Sequence, residues 1–402
     1  MGASAAASPN GGISTASTRT LTVAGLFAGI GGIEVGLGRG GHRTVFLCEK
    51  DPGAQAVLRH HFPTIPLEDD VLALDRVPTA DLVAAGFPCQ DLSQAGATAG
   101  IRGSQSGLVD KVLTLLETAD PRWLLLENVS FMLHLHRGAA MKYLTRELGR
   151  MGFAWAYRVI DTRAFGLPQR RRRVFLLASR SRDPRPYLLN QDAGETTVAY
   201  AEGIACGFYW TEGYRGLGWA VDAVPTLKGG STIGILSQPA IWFPDGSLGL
   251  PDIRDGERLQ GFDAGWTTQG AVVGPRSRGH RWKLVGNAVS VPVAEWIGHQ
   301  LGEQPADYDP GGDEPVAIGE RWPEAAWGRD GQAYKANRST WPVQREQPRL
   351  TDFLEHAATP LSTRATEGFL RRAEDGPLHF VPGFLAAVRD HLAKMRSVVK
   401  AA

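Results

Sequence analysis

Short apolar runs alternate with amphipathic stretches over the first half of the chain. The runs at 21–27, 44–49, 81–85, 123–127 and 174–178 predict strands, and helical periodicity at 53–61, 107–118 and 141–150 predicts helices between them. The first run leads into a glycine-rich turn at 28–32, followed by a helix-like segment that starts near Ile33. A strand, a tight turn and a helix in this order begin a doubly wound α/β domain. We therefore predict a Rossmann-like fold with a mainly parallel sheet.

The pattern changes after residue 180. Short irregular runs rich in Gly, Pro, Trp and Tyr fill 181–251, and regularity resumes at 253–261 and 292–301. An acidic linker rich in Pro and Gly covers 304–315, and apolar residues from Phe384 to Val399 then share one helix face. We predict a disordered tail at 1–19, a main domain at 20–180 completed by about 284–303, a smaller loop-rich domain at 181–283, and a linker with an accessory helical segment at 304–402.

Composition and charge indicate a soluble globular protein. Of 402 residues, 43% are hydrophobic, and the net charge of +1 leaves any attraction to a polyanion to a local site. The three cysteines are too widely spaced for a disulfide framework or a zinc site. No run has the length of a membrane span. We expect a cytoplasmic protein without a metal.

A glycine turn and two carboxylates form a candidate nucleotide site. Turn glycines serve packing about as often as ligand contact, so Gly29 and Gly31 alone are a weak signal. Glu49 ends the second strand, where a carboxylate can accept hydrogen bonds from ribose hydroxyls. Asp70 offers a second carboxylate for an adenine amino group. The turn lacks the three-glycine dinucleotide pattern, which points away from NAD.

Two further residues lie at predicted strand ends, where ligands bind in such folds. Cys89 stands between Pro88 and a polar loop start, whereas a structural cysteine tends to lie within an apolar run. Its position favours a reactive role over a packing role. Glu127 closes the run at 123–127, so its carboxylate should lie at the same edge. A helix-capping or turn acid is an equally good interpretation of Glu127.

Four arginines at 170–173 enter the strand at 174–178 directly after Gln169. Alternation sends Gln169, Arg171 and Arg173 to one face, so one set can point into the site. A charge run is usually a solvated face, but arginines entering an apolar strand are costly to bury without anionic partners. We predict local positive charge for phosphates. Further contributors to it are Arg276, Arg278, Arg281 and Lys283.

Ordered blocks between residues 21 and 298 resemble the cytosine-5 DNA methyltransferase family. Residues 27–32 (FAGIGG) look like its cofactor loop, 86–90 (GFPCQ) like its nucleophile block and 127–129 (ENV) like its acid block. Residues 169–173 match its Gln-x-Arg-x-Arg block, and 257–262 (ERLQGF) and 286–289 (GNAV) match its late blocks. The family's target-recognition region lies where this chain has its irregular insert. The resemblance implies a class I methyltransferase fold, S-adenosylmethionine as cofactor, S-adenosylhomocysteine as product, and duplex DNA as substrate.

The resemblance also implies a role for each block. Cys89 would add to carbon 6 of a flipped-out cytosine, and Glu127 would hydrogen-bond ring nitrogen 3. Arg173 would hold the base and the thiol region, with Arg171 beside it in the catalytic set. Cofactor contacts are implied for Phe27, Ala28, Gly29, Ile30, Gly31, Glu49, Lys50, Asp70, Val71, Pro88, Asn287 and Ala288. DNA contacts are implied for Gln90, Ser93, Gln169, Arg171, Arg276 and Arg278.

The chain departs from the family pattern in three places. Lys50 follows Glu49 where some members have an aromatic residue, Gln105 stands where the mobile loop often has arginine, and Asp263 replaces a common proline. Residues 304–402 match no block.

Two alternatives remain open. A catalytically silent DNA-binding homologue should have lost Cys89, Glu127 or the cofactor glycines, and none is lost. The related tRNA cytosine methyltransferases share the blocks, but the long insert and the C-terminal tail favour duplex DNA. We therefore expect a monomer that protects host DNA in a restriction-modification or related phage-defence system. Cognate restriction or defence proteins are its candidate partners.

Overall fold

The computed structural model describes residues 19–87, 107–229, 238–272, 277–317 and 319–401. The strands are β1 (Thr22–Leu26), β2 (Arg43–Cys48), β3 (Leu67–Glu68), β4 (Leu82–Ala85), β5 (Trp123–Val129), β6 (Ala154–Asp161), β7 (Gln169–Arg170), β8 (Arg172–Ser179), β9 (Cys206–Phe208), β10 (Ala220–Val221), β11 (Val224–Pro225), β12 (Ala240–Trp242), β13 (Leu248–Leu250), β14 (Glu314–Pro315), β15 (Ala325–Arg329), β16 (Gln332–Lys335) and β17 (Thr359–Pro360).

The helices are α1 (Gly32–Arg39), α2 (Pro52–His61), α3 (Gly107–Ala119), α4 (Ala139–Arg150), α5 (Arg185–Leu189), α6 (Ile253–Arg258), α7 (Ser277–Asn287), α8 (Val291–Gly302), α9 (Leu350–Phe353), α10 (Thr363–Asp375) and α11 (Phe384–Ala401). Short 3₁₀ turns at Val71–Ala73, Ser130–Leu133, Leu135–Gly138, Thr162–Phe165 and Thr268–Val272 connect several of these elements.

A ten-stranded sheet crosses the protein in the order β14-β16-β15-β6-β8-β5-β4-β1-β2-β3. From β3 to β5 the neighbours pair in parallel, and from β5 to β14 the sheet continues through antiparallel pairs. The parallel half has strand order 3-2-1-4-5, which reverses direction between β1 and β4. Such a switch point opens a crevice at the carboxyl ends of the strands.

Helices cover both faces of this sheet. On one face, α3 and α4 pack over sheet side chains such as Leu26, Ala85 and Leu124. On the other face, α1, α5 and α8 pack over side chains such as Val23 and Leu125. The central strands are therefore buried on both sides, which explains why they are continuous apolar runs. The predicted doubly wound α/β class is confirmed.

A smaller sheet lies in the predicted loop-rich region, in the order β10-β9-β12-β13-β17, and β7 pairs with β11 beside it. Residues 304–402 divide their strands between the two sheets: β14, β15 and β16 extend the main sheet, and β17 pairs with β13 of the smaller one. Helices α10 and α11 pack on the smaller sheet through Phe208, Phe369 and Phe384. The domain boundaries at 181 and 304 stay a prediction.

No helix in the described ranges is both long and apolar enough to cross a bilayer. Among the same residues, no cluster of three or more His, Cys, Asp or Glu side chains is arranged to hold a metal ion.

Candidate active site at the switch point

Strands β1 and β4 end side by side at the switch point, and β5 passes the same level before it ends at Val129. Leu26 of β1 is paired with Ala85 of β4, and Ala85 is paired with Leu126 of β5. The next residue on each strand is therefore Phe27, Gly86 or Glu127, at one level of the sheet edge. A Cβ placed on Gly86 would lie 3.5 Å from Glu127 Oε2 and 3.9 Å from the Phe27 carbonyl oxygen. Glycine at position 86 thus keeps the space beside the carboxylate open.

Glu127 is a buried acid with a cationic neighbour. The residue is 7% exposed, and Arg173 Nε lies 3.2 Å from its Oε1. Arg173 reaches it because β8 runs antiparallel to β5, with Val129 opposite Arg173. Burial raises the pKa of Glu127 above its ordinary value, and the charges of Arg173 and Arg171 oppose that rise. The carboxyl group therefore holds a proton more readily than an exposed glutamate does.

Asn128 ties the end of β5 to the neighbouring chain. Its Nδ2 donates a hydrogen bond to the Phe87 carbonyl oxygen at 2.9 Å, and its Oδ1 accepts one from the Val129 amide at 2.8 Å. Phe87 is the last described residue before position 107. Asn128 therefore holds Phe87, the second residue of the block at 86–90, next to Glu127. The predicted site residues Pro88, Cys89, Gln90 and Ser93 lie outside the described residues.

The glycine turn and Glu49 form one hydrogen-bonded unit. Gly29 adopts a left-handed φ of 57° and donates its amide to Glu49 Oε2 at 2.8 Å. Glu49 Oε1 accepts a second hydrogen bond from the Asp51 amide at 2.7 Å. No described atom comes within 4 Å of a Cβ placed on Gly29, so the space above the turn is open. Phe27 also has a positive φ, 54°, while Ile30 and Gly31 are buried under the turn.

Lys50 and Asp70 close one side of this unit. Lys50 Nζ lies 2.7 Å from Asp70 Oδ2, and Asp70 Oδ1 accepts the Leu72 amide at 3.0 Å. The hydrogen bond from Lys50 is the main cause that holds the pKa of Asp70 below its ordinary value. Val71 is buried directly behind it. The position where some family members have an aromatic residue is therefore occupied by a cation paired with Asp70.

The late block at 286–289 packs against the start of α1. A Cβ on Gly32 would overlap the Val289 carbonyl oxygen, so only glycine allows α1 to come this close. Asn287 is exposed at the end of α7, and Ala288 is buried beside it. The loop at 27–31 and this block thus lie on either side of the N-terminus of α1.

Gln169 and Arg171 are fully buried. Gln169 Nε2 donates to the Leu259 carbonyl oxygen at 2.7 Å. Arg171 donates to three carbonyl oxygens, those of Leu227, Gly286 and Ala288. Both side chains bind the main domain to the smaller region and to the late block. Main-chain oxygens enclose both side chains in the protein without DNA, and their predicted DNA contacts stay a prediction.

The predicted basic patch near the recognition region is balanced by acids where it is described. Arg281 pairs with buried Glu257 at 2.8 Å, and Lys283 pairs with Asp51 at 2.9 Å. Arg276 and the side chain of Arg278 lie outside the described residues.

Glu34 is a residue that the sequence interpretation missed. It belongs to the first turn of α1, is 2% exposed, and lies against Gly25 of β1. The available signal was a charged residue between Ile33 and Val35, opposite a glycine one position before the end of an apolar strand.

Comparison with known proteins gives this geometry a family. The family model for C-5 cytosine-specific DNA methylase matches residues 21–200. The chain is 49% identical over 364 residues to the type II methyltransferase M2.BsuMI of Bacillus subtilis (strain 168), which covers 88% of this chain and 93% of that protein. It is 28% identical over 296 residues to the type II methyltransferase M.MspI of Moraxella sp., covering 69% of each chain.

Among solved structures, the S. pombe Dnmt2 methyltransferase is similar in fold. It covers 70% of this chain and 98% of its own, with a TM-score of 0.51 and 16% identity. A match of 49% identity that covers most of both proteins decides the relationship: the chain belongs to the family of C-5 cytosine-specific DNA methylases.

Proposed function

We propose that this DNA cytosine-5 methyltransferase is the modification enzyme of a type II restriction-modification system. It would methylate carbon 5 of a cytosine flipped out of duplex DNA and so protect host DNA, acting as a cytoplasmic monomer. The type II designation of relatives such as M2.BsuMI supports this assignment. The observation that carries the chemistry is the buried Glu127 and Arg173 pair at the switch point.

Glu127 is suited to a cytosine ring. Ring nitrogen 3 of cytosine has a lone pair and no proton, so a partner must donate to it. A carboxyl group with a raised pKa can make that donation, and it stabilises the negative charge that develops on the ring when a nucleophile adds to carbon 6. Arg173, 3.2 Å from the same carboxyl group, would keep it oriented and hold the base.

Cys89 is the proposed nucleophile. Its thiolate would form a bond to carbon 6, and the electron pair of the 5,6 double bond would move toward carbon 5. Once carbon 5 has taken the methyl group, loss of its proton and elimination of Cys89 restore the aromatic ring. Cys48 and Cys206 are poor alternatives, because burial raises the pKa of each thiol to about 12. None of these steps is possible within a base stack, so the base must be extruded.

S-adenosylmethionine fits the unit formed by the glycine turn, Glu49 and Asp70. When bound, it supplies an electrophilic methyl group. Glu49 would accept hydrogen bonds from the ribose, and Asp70 would receive the adenine amino group. The open space above Gly29 lets the backbone approach the ligand closely. Asn287 and Ala288 would close the pocket from the late block.

The activity test offers labelled cofactor with duplex DNA and with tRNA side by side. We expect label in DNA only; label in tRNA alone would contradict the proposal.

A second test uses duplex DNA that contains 5-fluorocytosine. Once carbon 5 has taken a methyl group from added S-adenosylmethionine, its fluorine cannot leave as a proton does, so the adduct should persist as a denaturant-resistant complex of protein and DNA. Wild-type protein and the control Cys206→Ala should form this complex, and Cys89→Ala should not. A complex that forms in Cys89→Ala would assign the nucleophile to another residue.

A further inference from the structure

Asp51 connects Glu49 to the beginning of α2. Its main-chain amide donates a hydrogen bond to Glu49 Oε1 at 2.7 Å. Its side chain caps α2, because Oδ1 accepts the amides of Gly53 at 2.9 Å and Ala54 at 3.3 Å. One oxygen of the Glu49 carboxylate is therefore held by a residue whose own side chain is fixed to a helix.

Two side chains of α7 meet the Asp51 carboxylate as well. His280 Nε2 lies 2.9 Å from Asp51 Oδ1, and Lys283 Nζ lies 2.9 Å from Asp51 Oδ2. A Cβ on Gly53 would overlap His280 Nε2, so glycine at position 53 lets the imidazole come this close. Asp51 is therefore held from two directions, by amides of α2 and by a helix that lies 229 or more positions later in the chain.

Helix α7 is itself anchored in the protein. Arg281 donates one hydrogen bond to Glu257 Oε1 and one to Thr267 Oγ1, both at 2.8 Å. Both acceptors belong to fully buried residues, so this side chain ties the middle of α7 to the protein core. The helix ends at Asn287, a proposed cofactor contact. The two side chains that reach Asp51 therefore project from a helix that other contacts hold in place.

The carboxylate of Glu49 needs a fixed orientation to serve a ribose. A hydrogen bond weakens steeply when donor and acceptor lose their alignment, and two neighbouring hydroxyls require two such alignments. Among the described residues, each oxygen of this carboxylate meets one main-chain amide, that of Gly29 or that of Asp51. A shift of Asp51 would therefore turn the carboxylate away from the hydroxyls.

We propose that Asp51, held in place by α7, positions Glu49 for the ribose of the cofactor. This inference rests on the proposed use of S-adenosylmethionine. Asp51 is a positioning residue: it acts through Glu49 and needs no contact of its own with the ligand. Because α7 also carries Asn287 at its end, a single helix would set two walls of the cofactor pocket.

The test measures ligand binding by calorimetry and needs no turnover. S-adenosylhomocysteine has both ribose hydroxyls, and its 2′,3′-dideoxy analogue has neither. The double variant His280→Ala/Lys283→Met releases the Asp51 side chain from α7 but leaves its cap on α2. We expect this variant to bind S-adenosylhomocysteine about tenfold more weakly, as for loss of a charged hydrogen bond. Its affinity for the dideoxy analogue should stay within about twofold of wild type.

Two single variants serve as controls. Lys283→Arg keeps a charged donor for Asp51, and it should bind both ligands as wild type does. Lys335→Met removes a lysine of β16 that is paired with Glu320, and it should also leave both affinities unchanged.

Three results would overturn the inference. Equal loss of both ligands in the double variant would mean that α7 supports the pocket as a whole, and no loss of either would mean that Asp51 holds Glu49 without α7. Equal binding of the two ligands by wild-type protein would mean that the ribose hydroxyls are not recognised. If wild-type protein bound neither ligand, the proposed function itself would fail.

Discussion

The buried carboxylate of Glu34 should make the ligand-free protein less stable as pH rises. Its pKa in the folded protein is about 7, against an ordinary value of 4.5. Each pH unit between these values corresponds to about 1.4 kcal/mol, so ionising Glu34 in the folded state costs about 3 kcal/mol. Because the pKa of Glu34 is higher in the folded state than in the unfolded state, the protonated side chain adds to the unfolding free energy. This contribution is complete below pH 4.5 and is lost as pH rises through about 7. Glu34→Gln cannot ionise, so its unfolding free energy should not fall for this reason.

The assay is urea unfolding followed by tryptophan fluorescence, for which the chain has 11 tryptophans. Relative to wild type, Glu34→Gln should gain about 2.5 kcal/mol of unfolding free energy between pH 5 and pH 8. Glu68→Gln, whose side chain is exposed, should keep a constant difference from wild type over this range. A difference for Glu34→Gln that does not change with pH would refute the raised pKa of this enclosed carboxylate. Loss of stability in that variant at pH 8 would show that Glu34 has a structural partner.

Two substitutions test how the smaller region is attached. Arg171→Lys keeps the positive charge, but a lysine cannot donate to three carbonyl oxygens at once. It should therefore lower the unfolding free energy by about 2 kcal/mol or more. The control Arg137→Lys, at an exposed position, should change the unfolding free energy by less than about 0.5 kcal/mol. Phe384→Ala should lower the unfolding free energy by about 3–5 kcal/mol, because its ring is fully buried among aromatic side chains. The control Phe131→Ala, at a position 60% exposed, should leave the unfolding free energy nearly unchanged. Equal effects of the two substitutions would exclude α11 from the folded core.

Local patterns predicted the elements of the main domain closely. The run at 123–127 is β5, Trp123–Val129, and the periodic stretch at 53–61 is α2, Pro52–His61. A strand buried on both faces is a continuous apolar run, and a helix buried on one face has apolar residues at helical spacing. Both patterns can be read from residues that are close in the sequence. The helix face predicted from Phe384 onward is likewise present in α11, where Phe384, Val388 and Leu392 are buried.

The sequence predicted the site residues that lie at the ends of strands. Because parallel neighbours end at one edge, the sequence alone determined that Glu127 lies beside the residues that follow β1 and β4. Strand alternation likewise assigned Gln169 and Arg171 to one face. It could not tell that main-chain oxygens from distant segments enclose them, since Leu227 and Gly286 lie 56 and 115 positions away.

Only the tertiary structure decided how distant segments meet. β15 pairs with β6 although more than 160 residues separate them, and β17 joins a sheet built from residues before position 251. The raised pKa of Glu34 was likewise invisible in the sequence, because it depends on the space left by Gly25 and on enclosure by the folded chain. The sequence determined the elements, the strand-end residues and the family through local patterns. Burial, pairing and pKa depend on long-range contacts and required the fold.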